Sequence, residues 1–163
     1  MLNQLLKSLV DLIYGIKQVR KKFKLNNPYE TLLAIDGCKF IETKINQEVQ
    51  YGKDWVNSQR AIILLTNKKI ICGKLIIPLE NILNAQLFFF GSLLGKGQVL
   101  KIQTIEGKHY QFGMQLNPEW TNQKYLSLKL ENGKIKFSFY SIFIRLLALG
   151  SFAYFVYEKL LEN

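Results

Sequence analysis

A single histidine, His109, and two cysteines, Cys38 and Cys72, are nearly all that this 163-residue chain offers of the side chains that most often bind metals or run catalysis. Any Ser-His-Asp or Cys-His arrangement would have to use His109, which stands beside Gly107 at the start of a predicted strand, where a surface or cross-strand role is expected. One His and two dispersed Cys cannot fill a tetrahedral site, and no carboxylate falls at a ligand spacing, so no metal and no cofactor are expected. The cysteines have no CxxC partner, which excludes a zinc or disulfide framework and predicts reduced, buried thiols. Acidic residues are scarce, 12 against 22 Lys and Arg, and Asp36, Glu42, Glu48, Asp54, Glu80 and Glu106 form no local pair for acid–base work. The stretch from Gly91 to Gly97 is glycine-rich. It lacks the four-residue gap of a phosphate-binding loop, and Gly97 replaces the metal-holding hydroxyl, so it reads as a flexible hairpin connection. No catalytic residue is assigned, and the chain is expected not to be an enzyme.

What is present points to a folded, basic protein. Apolar residues make up 48% and charged residues 21%, which suits one globular domain. The net charge of +10 predicts attraction to polyanions, a nucleic acid or the anionic face of a membrane. Near the N-terminus Asn3, Gln4, Lys7 and Asp11 interrupt any secretory signal, so the chain is expected in the cytoplasm, at the inner face of the cell membrane.

Over residues 1–27, Leu2, Leu5, Leu9, Leu12, Ile16, Val19 and Phe23 recur at alternating spacings of three and four, the stripe of one amphipathic helix. Lys7, Lys17, Arg20, Lys21, Lys22 and Lys24 carry its polar face. Asn26, Asn27 and Pro28 stop it. Over 28–125 the period becomes strand-like. Tyr29 to Ile35 and Lys39 to Lys44 open the sheet around an Asp36-Gly37 turn. Ala61 to Thr66, Ile70 to Gly73, Leu75 to Leu79, Ala85 to Phe90, Val99 to Ile105 and His109 to Met114 continue it. Asn117 and Pro118 mark a short helix start. Residues 126–163 read as a hairpin about Asn132-Gly133, with a type I′ signal, and an apolar C-terminal helix. The segment from Phe137 to Tyr157 holds one charge, Arg145. It is long enough to span a bilayer, which needs about 20 apolar residues, or to close the sheet by burying Phe143, Leu147 and Phe155.

Four stretches together resemble the GRAM-like members of the pleckstrin-homology superfold. These are RAIILLTNKKIIC (Arg60 to Cys72), IPLENI (Ile77 to Ile82), VLKIQTIEGKHYQFG (Val99 to Gly113) and the helix start at Glu119 and Trp120. The resemblance covers residues 29 to about 124 and implies an α+β fold, a PH/GRAM-like antiparallel two-sheet barrel of about seven strands closed by a helix. It also implies lipid-headgroup or protein binding without catalysis. The resulting expectation is a membrane-associated binding module that recognises anionic lipid or a protein partner. Lys68, Lys69, Arg60 and Lys53 are the headgroup candidates. Leu5, Leu9, Leu12, Ile16, Lys17, Arg20, Lys21 and Lys22 form the membrane or partner helix. One alternative is a soluble protein-interaction or self-associating scaffold, since the three-four stripe is also a coiled-coil pattern. A second is nucleic-acid binding through Lys17 to Lys24, with Trp55, Tyr51 or Tyr110 stacking on bases, although no recognised motif supports it.

Overall fold

The change of period at Tyr29 is where helices give way to a sheet. A computed structural model describes residues 2–43, 47–51, 55, 58–92, 95–133, 136–137, 139, 143, 146–147, 150–151, 154 and 157. Two helices, α1 (Leu2–Ile13) and α2 (Ile16–Asn26), replace the single N-terminal helix read from the stripe. The break lies at Tyr14 and Gly15, where Gly15 takes φ 63°, a left-handed conformation that glycine adopts without steric cost. Tyr14 turns its ring flat onto the backbone of Gly37, where an added Cβ would lie 2.6 Å from the ring. A straight helix could not put both Tyr14 and Ile16 on the sheet.

The strands are β1 (Leu32–Thr43), β2 (Gln50–Tyr51), β3 (Gln59–Thr66), β4 (Lys69–Cys72), β5 (Leu75–Pro78), β6 (Ile82–Ser92), β7 (Gly95–Thr104), β8 (His109–Gln115), β9 (Lys129–Gly133) and β10 (Lys136–Phe137). Eight of them form one mixed sheet in the order β5-β4-β3-β1-β8-β7-β6-β9, and β10 pairs with β2. All neighbours in the large sheet are antiparallel except β6 and β9. The α+β class and the mainly antiparallel sheet agree with the sequence. The two-sheet barrel differs: among the described residues the eight-stranded sheet is open, edged by β5 and β9, and β10–β2 is a separate pair. It curls enough that side chains of both arms enter one core. Ala34, Cys38, Ile63, Leu65, Ile70 and Ile77 from one arm meet Leu87, Leu100, Ile102 and Phe112 from the other, with Trp120 and Leu126 over them.

Two turn signals did not make turns. Asp36 and Gly37 lie inside β1, fully buried, because partners far along the chain satisfy the carboxylate and Tyr14 needs the missing side chain of Gly37. Asn132 and Gly133 end β9, which runs parallel to β6. Gly133 lacks the positive φ that a type I′ turn requires, and the ring of Phe88 occupies the space beside it. The Gly91 to Gly97 stretch is mostly strand, with Gly91 opposite Lys96 and Ser92 opposite Gly95. Gly73, read as the end of a strand, and Gly107 both take positive φ, in the turns between β4 and β5 and between β7 and β8.

Side chains alternate across the sheet, so one face carries the core and the other, outer face is divided. Ile16 and Phe23 of α2 cover Ile35 and Leu64 at one end of it. Trp55 and Val49 cover Val99 at the other, beside Ile41, Phe88 and Phe90. Burying Ile16 and Phe23 contributes about 1.5–3 kcal/mol each.

Candidate functional site

Helix α1 is tied to the sheet through a charge pair. Lys7 Nζ lies 2.5 Å from Asp11 Oδ1, one turn on, and 2.6 Å from Asp36 Oδ1, which is fully buried. The other Asp36 oxygen accepts hydrogen bonds from Asn117 Nδ2 at 2.8 Å and Trp120 Nε1 at 2.9 Å. Burial pushes the Asp36 carboxyl above its ordinary range, and Lys7, then Asn117 and Trp120, pull against that shift. Burial lowers the Lys7 pKa, but the bonds to Asp11 and Asp36 outweigh it and leave the ammonium above its ordinary value.

The same corner fixes α2 and the short helix α3 (Glu119–Asn122). Glu119 takes a two-pronged ion pair from Arg20, at 2.6 and 2.9 Å, and accepts the Ile35 backbone N–H at 3.2 Å. Asn117 donates to the Ile35 carbonyl and accepts the Glu119 N–H, the capping role expected of it. Strand β8 starts to pair with β1 only at Cys38, so these side chains satisfy the open edge at Ile35 where no strand does. Arg20, expected on a membrane-facing surface, is therefore a structural residue.

The remaining N-terminal candidates divide. Ile16 is buried in the domain, whereas Leu9 is exposed, as are Leu12 at 78% and Ile13 at 70%. Lys17, Lys21 and Lys22 are exposed on α2. The side chain of Leu5 lies outside the described residues. At the other end of the chain, residues 139, 143, 146, 147, 150, 151, 154 and 157 are helical. They recur as one face of a helix, and Phe139, Phe143, Leu146, Leu147, Tyr154 and Tyr157 are exposed on it. Phe143 at 49% and Leu147 at 51% exposure do not close the sheet, which corrects the packing alternative for both. Phe155 lies outside the described residues, as does much of the stretch from 137 to 157. Among the described residues no helix is long and apolar enough to cross a membrane.

The headgroup candidates do not converge. Lys68 and Lys69 stand at the turn that ends β3, whereas Arg60 stands near its beginning. Six residues of strand at about 3.3 Å each hold Arg60 and Thr66 roughly 20 Å apart. Lys69 is also occupied by Glu30, at 2.8 Å. Lys53 lies outside the described residues. Arg60 instead meets Lys39, its cross-strand partner in β1, a residue the sequence did not single out. Lys39 donates to the Trp55 carbonyl at 3.3 Å, and Ser58 Oγ donates to the same oxygen at 2.7 Å. Burial, and then the nearby Arg60 charge, pull the Lys39 ammonium below its ordinary pKa. Tyr14 flanks the pair near Gly37, and the Trp55 ring lies against Gly113, the residue across β1 from Lys39.

His109 is half-buried, between Thr43 and Gln103 on adjoining strands. Among the described residues no three His, Cys, Asp or Glu side chains gather as metal ligands. Cys38 and Cys72 are buried free thiols with sulfurs 3.6 Å apart. Of the aromatics offered for base stacking, Trp55 and Tyr110 are buried, and the Tyr51 side chain lies outside the described residues. Comparison with known proteins matches no family model and no curated protein.

Proposed function

We propose that the protein is a non-catalytic, membrane-associated binding module, a PH/GRAM-like sheet domain that meets an anionic lipid surface through its exposed helical faces. The observation that carries this reading is that apolar residues at both ends, Leu9, Leu12 and Ile13 on α1 and Phe143, Leu147 and Tyr154 near the C-terminus, face solvent while the sheet between them has a filled core. An apolar face beside exposed Lys17, Lys21 and Lys22, on a chain of net charge +10, suits an anionic interface: the rings and aliphatic chains enter the headgroup boundary, and each nearby Lys or Arg adds about 1 kcal/mol. The test is sedimentation with phosphatidylserine-containing vesicles against neutral ones, at low and high salt. Salt-sensitive binding to the anionic vesicles is expected, and equal partition to both, or to neither, overturns the reading.

A second reading rests on spacing. Phe143, Leu147, Gly150, Tyr154 and Tyr157 follow one another at four, three, four and three residues, a seam on which two copies of the chain can pair. Light scattering across protein concentrations tests it, and a strict monomer argues against it.

A further inference from the structure

We propose that Tyr14, Lys39 and Arg60 form a binding site for a phosphate group on the outer face of the sheet. The site is built on β1, β3 and the corner between α1 and α2, so it stands independently of the exposed helical faces. Lys39 and Arg60 are directly opposite each other on neighbouring strands, and both project outward. Like charges so placed destabilise a sheet unless something neutral or anionic separates them. Five other cations, Lys7, Arg20, Lys69, Lys108 and Lys129, each meet a carboxylate. Lys39 and Arg60 meet none among the described residues.

The surroundings hold Lys39 in place opposite Arg60. The Trp55 carbonyl takes one of the three Lys39 donors at 3.3 Å and is itself fixed by Ser58, leaving two donors for a ligand. The Trp55 ring is seated on Gly113 and the Tyr14 ring on Gly37, each where a Cβ would lie 2.6 Å from it, so the rings pack directly on β8 and β1. The Tyr14 phenol is raised by burial, against the pull of the Arg60 charge, and its hydroxyl stays a donor. A guanidinium fork, an ammonium and a phenol match the several oxygens and near-double charge of a phosphate better than a single carboxylate.

The experiment is thermal melting of the full chain in chloride buffer, with inorganic phosphate added at constant ionic strength. Wild type is expected to melt at a higher temperature as phosphate rises, and Arg60→Gln and Lys39→Met should lose that shift. Without phosphate both variants should melt at or above wild type, because the repulsion is relieved; a loss of melting temperature there marks the pair as structural and overturns the site. So does a wild type indifferent to phosphate, or variants that keep the shift. Vesicles containing phosphatidic acid separate the sources. Partition about tenfold weaker for Arg60→Gln than for wild type assigns the phosphate to a lipid headgroup. Equal partition, or none, beside a phosphate-dependent melting shift that wild type shows and the variants lose, assigns it to a free phosphate, and that result leaves the site standing even where the membrane reading fails.

Discussion

Replacing Lys7 with methionine keeps most of the aliphatic stem and removes one charge from a buried pair. Asp36 would retain only two neutral donors, Asn117 at 2.8 Å and Trp120 at 2.9 Å, with no exposure to water. Removing one member of a buried pair costs about 3–5 kcal/mol, and those two donors place this case near 3 kcal/mol at neutral pH. Adding Asp36→Asn removes the uncompensated charge, so the double variant should recover about 1–2 kcal/mol relative to the additive sum. The pH dependence gives an independent check. The folded-state pKa of Asp36 already lies above the ordinary 3.8, and losing Lys7 removes the strongest influence holding it down. A carboxyl raised on folding stabilises the fold below its unfolded pKa, and that contribution disappears as pH rises through the folded value. The penalty of Lys7→Met should therefore shrink as pH falls from neutral towards 3.8. Lys7 itself, raised on folding, contributes stability that is complete below its ordinary 10.5 and lost as pH rises through the folded value. Urea unfolding of wild type and of the single and double variants, from acid pH to above the ordinary Lys value of 10.5, measures all three effects. A penalty under about 0.5 kcal/mol, or one that does not change with pH, would refute the argument.

Gly37→Val should displace the Tyr14 ring, which a Cβ would approach to 2.6 Å, and loosen the corner between the first two helices; a loss of about 1–3 kcal/mol in denaturant unfolding is expected. The thiols of Cys38 and Cys72 are buried, and Cys38 is pushed well above the ordinary thiol range by its bond to Cys72 and by burial. Neither should react with a thiol reagent at mildly alkaline pH until the protein unfolds, when both should; rapid labelling of the native chain would contradict that placement.

Most of the sheet was legible because its strands are local signals. Ala61 to Thr66 and His109 to Met114 alternate or branch as strands do, and glycines at 73 and 107 take the positive φ that turns need. The errors share one cause, which is a partner far away in sequence. Asp36-Gly37 is a turn signal in isolation, but Lys7, Asn117 and Trp120 supply the polar contacts that a buried Asp needs, and Tyr14 fills the space above Gly37. Asn132-Gly133 likewise became strand because β6 lay alongside it. The amphipathic stripe gave helix correctly but not its break, since Leu12 and Ile16 look alike until the sheet selects only one of them. Arg60 was legible as a cation. Its pairing with Lys39 depends on the register of β1 against β3, which no local pattern specifies.

Whether exposed apolar helix surface brings this sheet domain to an anionic membrane is decided by comparing wild type with Leu12→Ser/Ile13→Ser in vesicle sedimentation. Both side chains are mostly exposed, so their loss should change stability by no more than about 0.5 kcal/mol. The variant should keep its melting temperature and stay largely in the supernatant under conditions where wild type sediments with anionic vesicles. A variant that sediments as wild type does would contradict it.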